Sequence, residues 1–275
     1  MALFMVFFCY VNFILVDYFI WWSVFVISTF IFVIYLKSYV DVYCLVNYYL
    51  IQELCGYFFL IFSNFYCQIL LLMVKAGVAP FHFWLFSVTS RLISWFLMWF
   101  LVLQKMPYFP VIFNFCGMEL FFIIFLGLFF CYLNNFFCRD ASNMLVIFST
   151  ESFNWLLLFS LFSFGSVYFF FLYYYFIMIF IIPFFSSFYN CMSWELILLF
   201  FNIPLGLTFF LKIMVLFYGA ALSGIYMLLV LFLMLMFSVS VIYWILMSSM
   251  YFSYGLKNIN FYFFFFLPSM FLLFF

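Results

Sequence analysis

Residues 75–84 read Lys75-Ala76-Gly77-Val78-Ala79-Pro80-Phe81-His82-Phe83-Trp84. The stretch holds the chain's only histidine and places a lysine shortly before a proline, inside an apolar run. An ionisable side chain at the centre of a membrane helix costs at least about 2.5–3.5 kcal/mol. A proline there removes a backbone hydrogen bond that no water replaces. Both residues in one segment need a reason, and the rest of the chain is expected to pack around them.

Composition sets the frame for that segment. Of 275 residues, 74% are hydrophobic and 5% charged, against about 25% charged in a soluble domain. A membrane helix takes about 20 apolar residues, which leaves room for about eleven spans and no sizeable extramembrane domain. The apolar runs are continuous rather than alternating, which excludes a β-barrel. The expected fold is therefore all-α: a single transmembrane domain over 1–275, built as a polytopic helical bundle. Seven basic and seven acidic residues leave no net charge. Membrane lipids are expected around the bundle, and nucleic acid is not expected as a partner. The eight cysteines (Cys9, Cys44, Cys55, Cys67, Cys116, Cys131, Cys138 and Cys191) form no CxxC pair, so neither a metal cluster nor a disulfide framework is expected. Phenylalanine supplies 56 residues. No packing rule requires that number, and single Phe positions carry no functional weight.

Residues 1–19 have no basic n-region and no small-residue cleavage site, so they read as a first span rather than a signal peptide. They also lack the Arg- and Ser-rich character of an import presequence. So apolar a chain is hard to import, which points to synthesis inside the organelle that uses it. Expected spans run roughly 2–16, 18–36, 43–63, 65–86, 91–113, 117–137, 142–162, 165–186, 194–218 and 220–248, with a last run after Lys257 to Phe275. With eleven spans, Lys37, Arg91, Arg139 and Lys257 all fall in connections on one side. The positive-inside rule puts those connections and the N-terminus on the same, positive side.

Five ionisable residues fall inside spans instead. At 1.5 Å per residue, Lys75 lies about 15 Å into the fourth, with Glu53 and Glu151 at similar depth in the third and seventh. Lys105 lies past the middle of the fifth, and Lys212 falls in the ninth. Left unpaired they would total on the order of 10 kcal/mol, so most must face one another or water. A line of such groups can hold and pass protons, because small rearrangements change which group is charged. The alternative is a set of structural ion pairs that fix helix register. Glu119 and Glu195 sit at span starts, where a carboxylate suits a helix N-terminus. Asp17, Asp41 and Asp140 read as solvated turn residues.

Pro80 and Pro204 break the fourth and ninth spans, and transporters place such breaks beside their ion sites. A plain proline kink is the other reading. His82 is open to two readings also, a titrating relay group or a hydrogen-bonded interface residue. One histidine excludes bis-histidine haem or copper ligation. There is no Walker loop, no GxGxxG and no nucleophile–His–acid set.

The opening stretch resembles the Lys-x-Gly-x-Ala-Pro-Phe-His-Phe-Trp signature of subunit 2 of mitochondrial NADH–ubiquinone oxidoreductase, respiratory complex I. Leu103-Gln104-Lys105-Met106-Pro107 is similar to that family's Trp-Gln-Lys-x-x-Pro, with the proline one position early. Asn202-Ile203-Pro204-Leu205-Gly206-Leu207-Thr208-Phe209-Phe210-Leu211-Lys212 resembles its Gly-Leu-Pro-Pro-Leu-Thr-Gly-Phe-x-x-Lys. The short length and Phe richness look like a nematode-type short form. The resemblance implies an antiporter-like, proton-translocating subunit of the membrane arm, with two broken helices, in the mitochondrial inner membrane. Its partners would be the other membrane-arm subunits, including neighbouring antiporter-like ones. On this reading Lys75 is the central protonatable group, Lys105 connects toward mid-membrane, and Lys212 lies on the second broken helix. NADH, FMN, iron–sulfur clusters and ubiquinone belong to other subunits, so the chain is part of an enzyme without a redox site of its own. The positive side, with the N-terminus, is then the matrix.

Two departures bear on the site. The family's second-span Trp-x-Gly-Leu-Glu is matched by Trp22-Ser23-Val24-Phe25-Val26, without the acid. Glu53 is the nearest substitute in depth and is expected to pair with Lys75. The family's Ser-Ser-Ile-Thr-His-Met-Gly-Trp is matched by Phe148-Ser149-Thr150-Glu151-Ser152-Phe153-Asn154-Trp155. The histidine has become Ser152, and Glu151 is expected to relay between Lys105 and Lys212. Two other functions stay open: a non-pumping structural subunit of the same arm, and a free-standing cation/proton antiporter.

Overall fold

A computed structural model describes residues 2–37, 39–92, 95–115, 117–138, 140–162, 207–222 and 224–251, with positions 171, 175, 178, 179, 182 and 183. Among the described residues every regular element is helical. In chain order these are α1 (Ala2–Ile14), α2 (Tyr18–Leu36), α3 (Val42–Ile61), α4 (Phe65–Ala76), α5 (Phe83–Thr89), α6 (Trp95–Leu101) and α7 (Tyr108–Phe115). There follow α8 (Phe121–Phe137), α9 (Ala141–Phe162), α10 (Leu207–Leu222) and α11 (Gly224–Tyr251). The helices are apolar nearly all round, which suits a medium in which the backbone must satisfy itself. Five of them, counting Trp95–Phe115 as one, are long and apolar enough to cross a membrane. The expected eighth span lies almost wholly outside the described residues, as do Pro204, Glu195 and the run after Lys257.

Short polar residues set the helix starts. Asp17 caps α2 by accepting from the Phe19 N–H at 3.1 Å, so it does more than sit in a solvated turn. Asn64 caps α4 through the Tyr66 N–H at 3.2 Å. Glu119 occupies the first turn of a short 3-10 segment, Met118–Leu120, that leads into α8. Asp41 and Arg91 form an exposed ion pair at 3.5 Å. Such a pair adds little stability, but it brings the connections after the second and fourth expected spans to the same end of the bundle.

The fourth expected span divides at the opening stretch. Gly77 adopts φ 62° and ψ 41°, and its N–H bonds back to Met73 and Val74. The Val78 N–H reaches the Met73 carbonyl at 2.9 Å, which completes a Schellman stop. Side chains then satisfy the carbonyls released by the break. Trp84 Nε1 donates to the Val74 carbonyl at 3.0 Å, Gln52 Nε2 to Lys75 at 2.9 Å, and Asn154 Nδ2 to Ala79 at 3.4 Å. The left-handed turn demands glycine. Gly77→Ala adds about 1–2 kcal/mol of backbone cost and puts a Cβ 2.7 Å from the Leu85 side chain. A drop in the thermal midpoint of detergent-solubilised protein would register that loss.

The fifth expected span, 91–113, is broken as well, contrary to the reading as one helix. After α6 the chain tightens into a 3-10 turn, Leu103–Lys105, and α7 starts at Tyr108. Pro107 has no N–H to offer the Leu103 carbonyl, which accepts from Met106 at 3.3 Å instead. Pro110 falls in the first turn of α7, where a missing N–H is harmless. From α1, Asn12 Nδ2 donates to the Pro107 carbonyl at 2.8 Å. Lys105 therefore stands on a break of its own.

The two innermost spans are clear from burial. In an 18-residue apolar stretch of each of Trp95–Phe115 and Ser142–Phe162, 94% of residues are buried, against 39%, 39% and 44% in such stretches of α2, α3 and the Met118–Phe137 span. Helix α9 packs against α5, α8 and α10, while α7 packs against α1 and α4. Helices α2 and α3 cover the α4 side, and α11 covers α8 and α10. The buried ionisable residues sit on or beside these inner spans.

Candidate functional site: a buried line of lysines and carboxylates

Lys75, Lys105 and Lys212 are 2%, 3% and 1% exposed, and Glu53, Glu151 and His82 are 8%, 0% and 0% exposed. All six expected site residues are thus inside the protein rather than on the lipid face. Their local geometry differs.

Glu151 and Lys212 are joined directly. The Lys212 Nζ lies 2.5 Å from Glu151 Oε1. The same oxygen accepts from Trp155 Nε1 at 2.9 Å and from the Tyr132 hydroxyl at 3.2 Å. Trp155 sits one turn after Glu151 on α9, and Tyr132 comes from α8. The Lys212 ammonium also lies over two ring faces, 4.5 Å from the Phe237 centroid and 5.5 Å from that of Trp155. A buried ion pair is strengthened by further hydrogen bonds; Tyr132, Trp155 and Lys212 all converge on Oε1, while Oε2 has no hydrogen-bond partner among the described residues.

Lys105 reaches the same helix two residues earlier. Its Nζ donates to Ser149 Oγ at 3.4 Å and lies 5.6 Å from the Phe153 ring. Between it and Glu151 stand Thr150 and Cys131, whose Oγ1 and Sγ are 3.5 Å apart. Lys105 at Ser149, Cys131 at Thr150 and Lys212 at Glu151 thus meet three consecutive residues of α9, so the contacts pass around the helix rather than along one face. Its neighbour Gln104 donates to the Tyr48 hydroxyl at 2.6 Å. One turn further along α3, Gln52 accepts from the Tyr108 hydroxyl at 3.1 Å while holding the Lys75 carbonyl. This Tyr–Gln set bridges the Lys75 and Lys105 breaks.

Glu53 and Lys75 make no direct ion pair. Glu53 Oε1 accepts from Thr29 Oγ1 on α2 at 3.3 Å. The Lys75 Nζ instead lies 5.0 Å from the Phe25 centroid and 5.9 Å from that of Tyr108. His82 Nε2 lies 3.1 Å from Asn134 Nδ2 on α8, and its ring stacks on Phe83 with centroids 4.8 Å apart. Among the described residues no three His, Cys, Asp or Glu side chains are grouped as a metal site. Pro204 lies outside the described residues, so of the two expected proline breaks only the one at Pro80 is described.

Sequence reasoning did not single out Tyr132, Trp155, Gln52 or Tyr108. Trp155 was accessible in principle, since it follows Glu151 by one helical turn. The others come from helices distant in sequence and had no such signal.

No family model matches the chain. It is 41% identical to the NADH-ubiquinone oxidoreductase chain 2 of Ascaris suum over 228 residues, which cover 82% of this chain and 76% of that protein. It is 38% identical to the NADH-ubiquinone oxidoreductase chain 2 of Caenorhabditis elegans over 196 residues, 70% of each. With identity at this level over most of its length, the chain belongs to the NADH-ubiquinone oxidoreductase chain 2 family.

Proposed function

We propose that this chain is a proton-translocating subunit of the membrane arm of NADH–ubiquinone oxidoreductase, seated in the mitochondrial inner membrane. One observation carries the reading: Lys75 and Lys105 stand at helix breaks and Lys212 pairs with Glu151, with hydroxyl, amide and carboxylate groups between them. Protons would enter at Lys75, pass the Tyr–Gln set to Lys105, and reach the Glu151–Lys212 pair along α9. The free energy would come from quinone reduction elsewhere in the complex. NADH, FMN, iron–sulfur clusters and ubiquinone would be held by other subunits, which are also this chain's lateral partners. The N-terminus would face the matrix.

A scaffold that no longer pumps has one observation in its favour: among the described residues no carboxylate makes an ion pair with Lys75. The two readings separate in reconstituted complex carrying Lys75→Met. The pumping reading expects fewer protons moved per electron pair, measured by a pH-sensitive dye against NADH oxidation. An unchanged ratio would leave the scaffold.

A further inference from the structure

Lys75 is 2% exposed and has no ion-pair partner among the described residues. Its ammonium is not in a featureless apolar pocket, however. Phe25 of α2 and Tyr108 of α7 present ring faces at 5.0 and 5.9 Å from Nζ. Their centroids are 4.7 Å apart, so the two rings meet beside the cation. Gly56 of α3 leaves the third side open to it, since a Cβ there would lie 3.2 Å from Nζ. The indole of Trp22 borders the same niche. A ring face attracts a cation through its quadrupole, most strongly where water is excluded.

We infer that Phe25 and Tyr108 are positioning residues that hold Lys75 in its charged form where no carboxylate among the described residues pairs with it. This rests on the reading of Lys75 as a proton carrier. Glu53 and Cys55 are the titratable groups that α3 presents near Lys75, and Tyr108 is the one that α7 presents. Helix α2 faces the niche with Phe25 and Trp22, neither of which titrates. The ring faces are thus the contribution that a single substitution can remove while every carboxylate stays in place.

The test is the pH dependence of proton yield in complex reconstituted into liposomes. Removing the ring face weakens the charged form, so Lys75 releases its proton at lower pH. Phe25→Leu should move the alkaline limb of the profile down by about one pH unit. Phe25→Tyr keeps a ring face and should leave the limb in place. If Phe25→Leu does not assemble, Phe25→Met carries the same expectation with a closer volume. An unmoved limb in an assembled Leu or Met variant overturns the inference, as does an equal shift in Phe25→Tyr. Lys75→Met separates the two levels. Unchanged yield there sinks the proton-carrier reading, whereas a lowered yield with an unmoved Phe25→Leu limb sinks only the ring-face role.

Discussion

Glu151→Ala is expected to cost about 3–5 kcal/mol, because it leaves the Lys212 ammonium buried without its counter-charge. Lys212 is 1% exposed, so no water shell takes over from the carboxylate. The Trp155 and Tyr132 donors lose their shared acceptor at the same time. A typical fold is stable by only about 5–15 kcal/mol, so the loss should appear as a clear fall in assembled complex on a native gel. Glu151→Gln keeps an oxygen for the two donors and should fall between wild type and alanine. The paired variant Glu151→Leu with Lys212→Met separates structure from function. Removing both charges restores a satisfied apolar core, and such replacements are often neutral or stabilising. Assembly should return while the proton yield stays low. Recovery of both would mean that the pair serves register alone, and recovery of neither would mean that its packing cannot be replaced.

Much of this arrangement is readable from local signals. The break at Gly77–Pro80 is one such case, since Gly and Pro act within a few residues of themselves. The membrane class and the buried charges follow from the scarcity of polar residues, each of which then stands out. The break before α7 was hidden for a physical reason. Pro107 and Pro110 fall near the far end of the expected span 91–113, yet the chain resumes as helix because Pro110 lands in a first turn. The partner of Lys75 was hidden for another. A residue count fixes depth along a helix, but not the direction a side chain faces. Glu53 matches Lys75 in depth and turns toward Thr29 of α2 instead. Glu151 and Lys212 stood out separately, but what joins them is the packing of α9 on α10. That contact is 61 residues long in sequence and carries no local mark.

Gly127→Ala is the second large effect expected, and it tests how firmly the broken span is seated. Gly127 lies on α8 directly against the Ala79 carbonyl, and a Cβ there would overlap both the carbonyl oxygen and its carbon. It would also lie 2.9 Å from Asn154 Nδ2, the group that donates to that carbonyl. A flexible side chain could swing aside, but a backbone carbonyl fixed between a Schellman stop and Pro80 cannot. Overpacking of this kind costs about 1–3 kcal/mol, occasionally more. Loss of the Asn154 hydrogen bond adds about 1 kcal/mol. The thermal midpoint of the purified complex should fall, and the proton yield with it, because the same segment places Lys75. Gly117→Ala is the matched control, since nothing lies within 4 Å of a Cβ at that position. If the two variants melted together, α8 could move away from the break at little cost. The Lys75 segment would then be held by Gln52 and Trp84 alone, and not by the face of α8.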